Sequence, residues 1–345
     1  MKNSLLVIVC LLCCLVSFGQ KKNKENDTLP YFERYKEKLT VRMGVGINDA
    51  PFNLNYKFPF APHKKMKYQP NPQHVMGFGL NYFGLGVAFS FKLPTTVRNE
   101  RLYGKSKYFD LEVAAQLKKW VIFADFRRYR SFAVSNLSSI DTSYVEDTEL
   151  DVRSDMQSWT LATNVKYYFN EKYDYNSAKG FAGAHLRSAF SPFAMGIITA
   201  YEIDGRGESL LHPSIYEPSY SFSNMNKLFV FEYGAIPGFA YIFAHKGFNL
   251  HLNLGIGAVV QYQHIHRFED QLGRWGISPK IDLSLDLGVN KPDWFLKLFV
   301  SYDWKYANIE TFTHFHNYYK ISIVGGYRFK VKTPKFFQMK FFQGI

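Results

Sequence analysis

Apolar and polar residues alternate with a period of two along most of the chain, most clearly between Lys227 and His266. From Phe248 to Tyr262 every second residue is apolar, and the residues between them are mostly polar or small. The preceding arm, Phe229–Phe243, alternates in the same way, and Ala244–Gly247 forms the turn. Successive side chains of a strand point to opposite faces, so this period predicts a long β-hairpin with one apolar face.

Aromatic residues lie at both ends of the apolar face of this hairpin. Tyr262 and Phe229 are at one end, and Phe243 and Phe248 are at the other. Transmembrane β-hairpins carry such aromatic girdles at the two membrane interfaces. A soluble barrel with its apolar face inward shows the same alternation. The girdles, the loop lengths, the export signal and the even strand number favour the membrane.

Alternating segments recur through the rest of the chain, joined by connections that are alternately short and long. The other predicted strands are 52–60, 74–82, 84–93, 107–118, 120–133, 156–169, a stretch that ends at 201, 278–290, 294–304 and 317–329. Outer-membrane barrels have short periplasmic turns and longer outer loops. The pattern therefore predicts an all-β fold, a single antiparallel transmembrane β-barrel of about 12 strands with both termini in the periplasm.

One further alternating segment, Leu39–Ile47, does not fit the even count. Its apolar positions alternate with an arginine and two glycines. Three placements remain open: in the periplasm, inside the lumen, or as the first half of a bulged first strand. We assign residues 39–329 to the barrel.

The N-terminus has the pattern of a secretory signal peptide that covers residues 1–19. Lys2 precedes the apolar run Leu5–Phe18, and the expected cleavage site lies between Gly19 and Gln20. All three cysteines fall inside this segment. The mature chain is therefore expected to contain no disulfide and no cysteine-based metal site.

Two polar segments flank the predicted barrel. Residues 20–38 form a periplasmic leader, and residues 330–345 form a basic, Phe-rich periplasmic tail. An alternative for the N-terminus is a lipoprotein anchored at Cys13 or Cys14. No small residue precedes either cysteine, which favours the cleaved signal.

The chain has a formal net charge of +13, which raises the question of nucleic-acid binding. The basic residues are scattered over turns, strand ends and the tail, and an exported chain has little access to nucleic acid. A solvated basic surface is expected instead. The expected partners are outer-membrane lipid, the barrel-assembly machinery and, under one functional hypothesis below, an unidentified protein.

Charged residues of both signs fall on the face opposite the apolar one, which is the lumen face of the predicted barrel. The lumen-facing candidates are Asp110, Glu112, Glu232, Lys280, Asp282, Asp286, Lys297 and Asp303. They could form a selectivity zone, or they could fill the interior as salt bridges, because an unpaired buried charge is costly. No spacing points to acid–base catalysis, and no serine lies in a nucleophile-elbow pattern.

Two motifs and one loop raise the question of metal binding. The pairs His264/His266 and His314/His316 each place two imidazoles on one strand face near a predicted outer end, where histidines that face water are the simpler explanation. The acidic loop 141–155 lacks a defined spacing of Ca²⁺ ligands. We predict no metal, no other cofactor and no catalytic residue.

Several short runs along the predicted barrel carry a family resemblance. They are Gly77–Gly86, Gly104–Leu111, Phe126 with Tyr129, Tyr173–Ala178, Ser188–Ser191, Pro237–Tyr241 and Gly326–Phe329. Together they are similar to the bacterial outer-membrane family catalogued as domain of unknown function 4421, over roughly residues 39–329. The resemblance implies an outer-membrane barrel of Gram-negative type, and it implies no established activity or catalytic residue.

Three functional hypotheses follow. The first is a porin-like channel or transport barrel with a polar, mixed-charge lumen. The alternative is a closed barrel that serves as a binding or assembly scaffold through its outer loops and periplasmic tail. The third and least favoured is an outer-membrane hydrolase with residues at the rim. We predict that the protein is not an enzyme.

Overall fold

Long antiparallel strands dominate the computed structural model, which describes residues 29–56, 65–139, 143, 150–212, 223–309 and 312–334. The strands are β1 (Phe32–Arg34), β2 (Lys38–Asp49), β3 (Phe52–Tyr56), β4 (Lys65–Gln69), β5 (Gln73–Tyr82), β6 (Leu85–Thr96), β7 (Lys107–Leu117), β8 (Trp120–Val134), β9 (Asp151–Tyr168), β10 (Gly183–His185), β11 (Ala189–Asp204), β12 (Met225–His245), β13 (Phe248–Arg267), β14 (Gln271–Asn290), β15 (Trp294–Ile309) and β16 (Phe312–Lys330). Two short helices, α1 (Glu100–Tyr103) and α2 (Tyr175–Lys179), lie in connections. Within the described ranges, no helix has the length and hydrophobicity of a membrane span.

Twelve of these strands close into one antiparallel ring. The order is β2, β5, β6, β7, β8, β9, β11, β12, β13, β14, β15 and β16, and β16 pairs with β2 from Lys330↔Lys38 to Tyr319↔Asp49. This closure confirms the predicted fold class, a single antiparallel barrel of the transmembrane type.

The first strand of the ring is β2, which contains the segment Leu39–Ile47. Of the three placements left open for this segment, the first half of a bulged first strand is the one observed, because β2 and β3 follow each other along β16, opposite residues 319–330 and 312–316. The prediction that the ring begins at Phe52 was wrong, because β3 starts there and pairs with β16 only at its outer end. The physical reason is length. A membrane-spanning strand needs about 9–11 residues, and β2 has 12 whereas β3 has 5.

Large apolar side chains cover the outside of the ring. Ile198 and Ile256 are 56% and 55% exposed along the wall, and Trp120, Trp294 and Tyr327 are exposed near the short turns. A soluble barrel would bury such residues and expose charges. The exterior therefore matches a barrel in the outer membrane, with the short turns in the periplasm.

The hairpin formed by β3 and β4 completes the wall at the outer end of the barrel. β3 pairs with β16, and β4 pairs with β8 through Tyr68↔Val134 and Gln69↔Ala133. The hairpin thus replaces β2, β5, β6 and β7 in the outermost part of the wall. Because fewer strands enclose this part, it is narrower than the ring at membrane level.

An apolar cluster, here called the outer core, fills this narrow part. It consists of Ala50, Phe52, Leu54, Met66, Tyr68, Tyr129, Phe132, Val134, Leu137, Met156, Tyr201, Ile203, Leu210, Leu211, Met225, Leu228, Val230, Ile265, Ala307, Ile309, Phe312 and Tyr318. The ring of Phe52 stacks on Tyr68 at 4.7 Å and meets Phe132 edge-on at 5.2 Å. Here the apolar face of the alternating strands points inward, as it does in a soluble barrel.

Residues 169–188 connect β9 to β11 at the periplasmic end and fold into the barrel; we call them the plug. They contain α2, whose residues are all buried, and β10, which pairs with β1 of the leader. The alternation of short and long connections predicts a short turn after the strand 156–169, at Asn170–Asn176, and this prediction was wrong because the connection runs to residue 188 and contains a helix and a strand. Asp174 caps α2 by accepting a hydrogen bond from Ser177 N at 2.9 Å, so these polar residues start a helix.

Candidate functional site

The charged residues predicted to face the lumen lie on the inner face of the wall, on β7, β12, β14 and β15. Asp110, Glu232, Lys280, Asp286 and Lys297 are buried, and Glu112, Asp282 and Asp303 are half-buried. The fold brings them together in groups with cations and carboxylates that lie far away in the sequence.

One group lies next to the outer core. Lys280 Nζ is 3.3 Å from Glu232 and 3.1 Å from Asp303, and Lys305 Nζ is 3.1 Å from Asp303. Gln261 Nε2 donates to Glu232 at 2.6 Å. Arg127 Nη1 also lies 3.6 Å from Asp303, so two lysines and an arginine that is shared with Asp125 surround the two carboxylates.

Two lysines on other strands engage further carboxylates of the set. Lys320 on β16 contacts Glu112 at 2.7 Å and Asp110 at 3.3 Å. Lys166 on β9 forms an ion pair with Asp282 on β14. These contacts join strands that are four places apart in the ring, so they bring charges together across part of the interior.

The plug and β13 each supply one partner of the fully buried Asp286. Lys179 Nζ lies 2.9 Å from Asp286, and His251 Nδ1 lies 2.6 Å from the same carboxylate. Tyr173 Oη, also in the plug, is 2.8 Å from His251 Nε2. The group therefore ties the plug to β13 and β14.

Pairing is the property that these groups share. A charge that is removed from water without a partner costs several kcal/mol, and a well-placed counter-charge offsets much of that cost. The arrangement supports the interpretation in which charges fill the interior, and it leaves little free charge for a selectivity zone.

The plug is also fixed by hydrogen bonds from the wall to its backbone. Arg328 donates to the carbonyl oxygen of Gly180 at 2.5 Å, and Lys297 donates to that of Ala178 at 2.6 Å. Asn290 Nδ2 donates to Gly183 O at 3.1 Å. Gly180 has a φ of 81°, the left-handed conformation that ends a helix and turns the last carbonyl groups outward.

His185 on β10, the strand within the plug, stabilises the plug internally. Asp174 N donates to His185 Nε2 at 3.1 Å, and Arg34 of β1 forms an ion pair with Asp174 at 2.6 Å. Burial lowers the pKa of His185, although the Asp174 carboxylate opposes this effect. The same ring nitrogen also lies 3.1 Å from the carbonyl oxygen of Asp174, so His185 contacts the first residue of the helix cap through both backbone groups.

A cavity of about 240 Å³, here called the chamber, lies above the plug inside the ring. Its charged lining consists of Arg42, Glu112, Asp125, Arg127, Lys166, Lys179, Asp282, Asp286 and Lys320, and its aromatic lining includes Phe123, Tyr175, Phe181 and Phe299. Small residues such as Gly44, Gly46 and Gly77 line its β2 and β5 side and leave space there.

The two His-x-His pairs do not combine into one site. His264 and His266 lie on the outer face of β13, with ring centroids 4.3 Å apart, whereas His314 and His316 are buried on the inner face of β16. Among the described residues, no group of three or more His, Cys, Asp or Glu could hold a metal ion.

Some predictions fall on residues outside the described ranges. They are the cleavage site at Gly19 and Gln20, most of the acidic loop 141–155, and residues 335–345 of the tail. They stay predictions.

Sequence reasoning did not select several residues that complete the site. Arg42, Lys166, His251 and Lys320 occupy polar positions of alternating strands, so the period of two could have identified them. Lys179 carried no such signal, because the plug has no periodic pattern.

The fold and the site define the class as an outer-membrane β-barrel whose lumen is filled at both ends. The chain belongs to the family described as Domain of unknown function (DUF4421), whose model matches residues 25–329 and confirms the resemblance noted in the sequence. No curated protein matches the chain.

Solved outer-membrane barrels show a weak likeness. The outer membrane protease OmpT from Escherichia coli has 8% sequence identity and a TM-score of 0.36, and the match covers 88% of this chain and 100% of that one. The translocator domain of the autotransporter NalP from Neisseria meningitidis has 10% identity and a TM-score of 0.36, with 95% and 98% covered. The Pseudomonas putida toluene transporter TodX has 7% identity and a TM-score of 0.30, with 85% and 90% covered. Likeness at this level carries no inference about activity.

Proposed function

We propose that this protein is a closed, non-enzymatic outer-membrane barrel that serves as a binding or assembly scaffold. One observation carries the proposal: the outer core occupies one end of the lumen and the plug occupies the other. A diffusion channel needs a continuous hydrated path with exposed polar groups. Here the charges of the lumen are largely engaged with one another.

Single-channel recording in a planar bilayer tests the closure. We expect no discrete conductance steps from the full mature chain, with insertion verified by heat-modifiable electrophoretic mobility and by protease protection in vesicles. A variant that lacks both hairpin residues 52–68 and plug residues 171–187 serves as the conducting control. Reproducible steps from the unaltered protein would overturn the proposal.

Cross-linking in cells tests the scaffold role. The proposal places docking on the outer loops and the periplasmic tail. Deletion of residues 335–345, or shortening of the outer loops 135–150 and 205–224, is expected to remove specific cross-linked complexes. A tail of scrambled sequence is the matched control for charge alone. Complexes that persist in all of these variants would contradict docking through these segments.

A gated transport barrel is the second candidate, favoured by the chamber. A polar cavity of about 240 Å³ lies above a plug that hydrogen bonds and ion pairs hold in place. Transport would require the plug and the outer core to move aside. Conductance steps that appear in the unaltered protein only under conditions that release the plug would favour this candidate over the scaffold.

A further inference from the structure

The chamber contains one more cation than it contains carboxylates. Four of its cations each have a carboxylate partner: Lys320 with Glu112 at 2.7 Å, Arg127 with Asp125 at 2.9 Å, Lys179 with Asp286 at 2.9 Å, and Lys166 with Asp282. The remaining cation is Arg42, which forms no ion pair or hydrogen bond with any residue of the described chain. Lys320 also contacts the buried Asp110 at 3.3 Å, so this surplus is balanced just behind the lining, and Arg42 differs from the other four cations by the lack of a direct partner.

Arg42 lies at the wall of the chamber and has only a weak partner there. Its Nε is buried without a hydrogen-bond partner, and its guanidinium lies 4.1 Å from the ring centroid of Phe181 in the plug. A cation–π contact offsets only part of the cost of a desolvated cation that has no carboxylate or hydrogen-bond partner. An anion in the chamber would satisfy this guanidinium.

The backbone opposite Arg42 is arranged to accommodate its side chain. Gly79 on β5 pairs with Arg42 on β2, and a Cβ atom at Gly79 would lie 2.4 Å from Arg42 Nε and 2.9 Å from Cγ and Cζ. Any larger residue at position 79 would force the guanidinium to move. The absence of a side chain here thus determines where the guanidinium points.

We propose that the chamber binds a small organic monocarboxylate, held by the guanidinium of Arg42. The planar guanidinium matches a carboxylate with two parallel hydrogen bonds. Arg42 is the one cation of the described lining without a carboxylate at ion-pair distance, which fits a monoanion, since a dianion would need a second cation of this kind. The rings of Phe123, Phe181 and Phe299 in the same lining supply a surface for an apolar body.

Entry to the chamber is expected from the periplasm. Phe181 and Tyr175 of the plug form part of the lining, so we expect a shift of the plug to widen the path of a ligand. Binding to the folded protein is therefore expected to be slow. Refolding the protein from urea into detergent in the presence of the ligand removes this barrier from the test.

The test compares benzoate with benzamide, which has the same shape without the charge. The full mature chain is refolded with each labelled compound, and binding is measured by equilibrium dialysis. Benzoate is expected to bind at least about tenfold more tightly than benzamide, the factor expected when a charge-assisted hydrogen bond is lost. Equal binding of the two, or no binding of benzoate, would overturn the proposal.

Two variants locate the site at Arg42. Arg42→Gln is expected to weaken benzoate binding about tenfold or more, and it should not lower the resistance of the empty barrel to urea, because it removes an unpaired charge. Arg128→Gln, an exposed arginine of the wall, is the matched control and should bind normally. Unchanged benzoate binding by Arg42→Gln would contradict the assignment.

The second variant keeps the arginine and moves it. Gly79→Ala should displace the guanidinium and weaken benzoate binding, whereas Gly196→Ala, whose Cβ would have its nearest contact at 3.9 Å, should not. Normal binding by Gly79→Ala would show that the position of Arg42 is irrelevant. Conductance tests the closed lumen separately. Benzoate binding and the closed lumen can therefore each be disproved without affecting the other.

Discussion

Arg328 donates a hydrogen bond to the carbonyl oxygen of Gly180 at 2.5 Å, although 148 residues separate the two in the chain. Arg328 is near the end of the last strand, and Gly180 ends the helix of the plug. The same Nη2 atom donates to Asn290 Oδ1 at 2.7 Å. One side chain therefore binds both the plug and the neighbouring strand, which makes it a central attachment between plug and wall.

Replacing Arg328 with Gln should loosen the plug without opening the ring. Each lost hydrogen bond from a charged donor costs about 1.5–3 kcal/mol, and Arg328→Lys should recover only part of this because an ammonium lacks the planar fork. The measurement is trypsin cleavage within residues 169–188 of the folded protein, followed by mass spectrometry. Lys330→Gln, at an exposed position of the same strand, is the control. Equal cleavage in all variants would mean that other contacts hold the plug.

Phe52→Ala should destabilise the outer end of the barrel. The side chain is fully buried between Tyr68 and Phe132, and removal of a buried Phe costs about 3–5 kcal/mol. Urea unfolding monitored by tryptophan fluorescence measures the change. Ile277→Ala, at a lipid-facing position that is 74% exposed, should cost much less. Similar losses for the two variants would contradict a tightly packed outer core.

Asp286→Asn should be among the most destabilising single changes in the lumen. It leaves Lys179 buried without a counter-charge, which typically costs about 3–5 kcal/mol. Asp282→Asn should cost less, because the Asp282 side chain retains 28% exposure. Replacing the pair together, with Lys179→Met and Asp286→Leu, should recover most of the loss of unfolding free energy. A double variant that is as unstable as Asp286→Asn would show that the pair contributes more than charge compensation.

The attachment of the plug should weaken in mild acid. Burial lowers the pKa of His185 in the folded protein, with Asp174 opposing and Lys297 reinforcing the shift. In the unfolded chain the imidazole of His185 has a pKa of about 6.5, so it binds a proton at pH values where the folded protein does not. The contribution of His185 to the free energy of unfolding is therefore greatest above a pH of about 6.5. It decreases as the pH drops below this value and is lost once the pH passes below the folded pKa.

An environment-sensitive fluorophore on Ala182→Cys measures this release in the chain that lacks residues 1–19. Its emission should change as the pH falls from about 7.5 to about 5. His185→Gln keeps a hydrogen-bond acceptor but cannot titrate, so its emission should stay nearly constant. A change of the same size in His185→Gln would assign the pH response to another group.

The sequence by itself determined the β-barrel, its number of ring strands and the side of each strand that carries charge. In β13 the long alternation from Phe248 to Tyr262 was sufficient to predict a strand with one apolar face. In β14 the polar positions of the alternation identified Asp282 and Asp286. These features follow from local geometry, because a period of two places neighbouring side chains on opposite faces regardless of the rest of the fold.

Only the tertiary structure decided which segments close the ring and what fills it. A period of two does not state which face meets lipid, so β11 buries Phe193, Met195 and Ile197 inside while Ile198 faces outward. It also does not identify pairing partners, so the sequence did not show that β2 spans the ring whereas β3 joins the wall only at its outer end. The plug and the contact of the Arg42 guanidinium with Phe181 depend on residues far apart in the chain, which meet only when the ring closes.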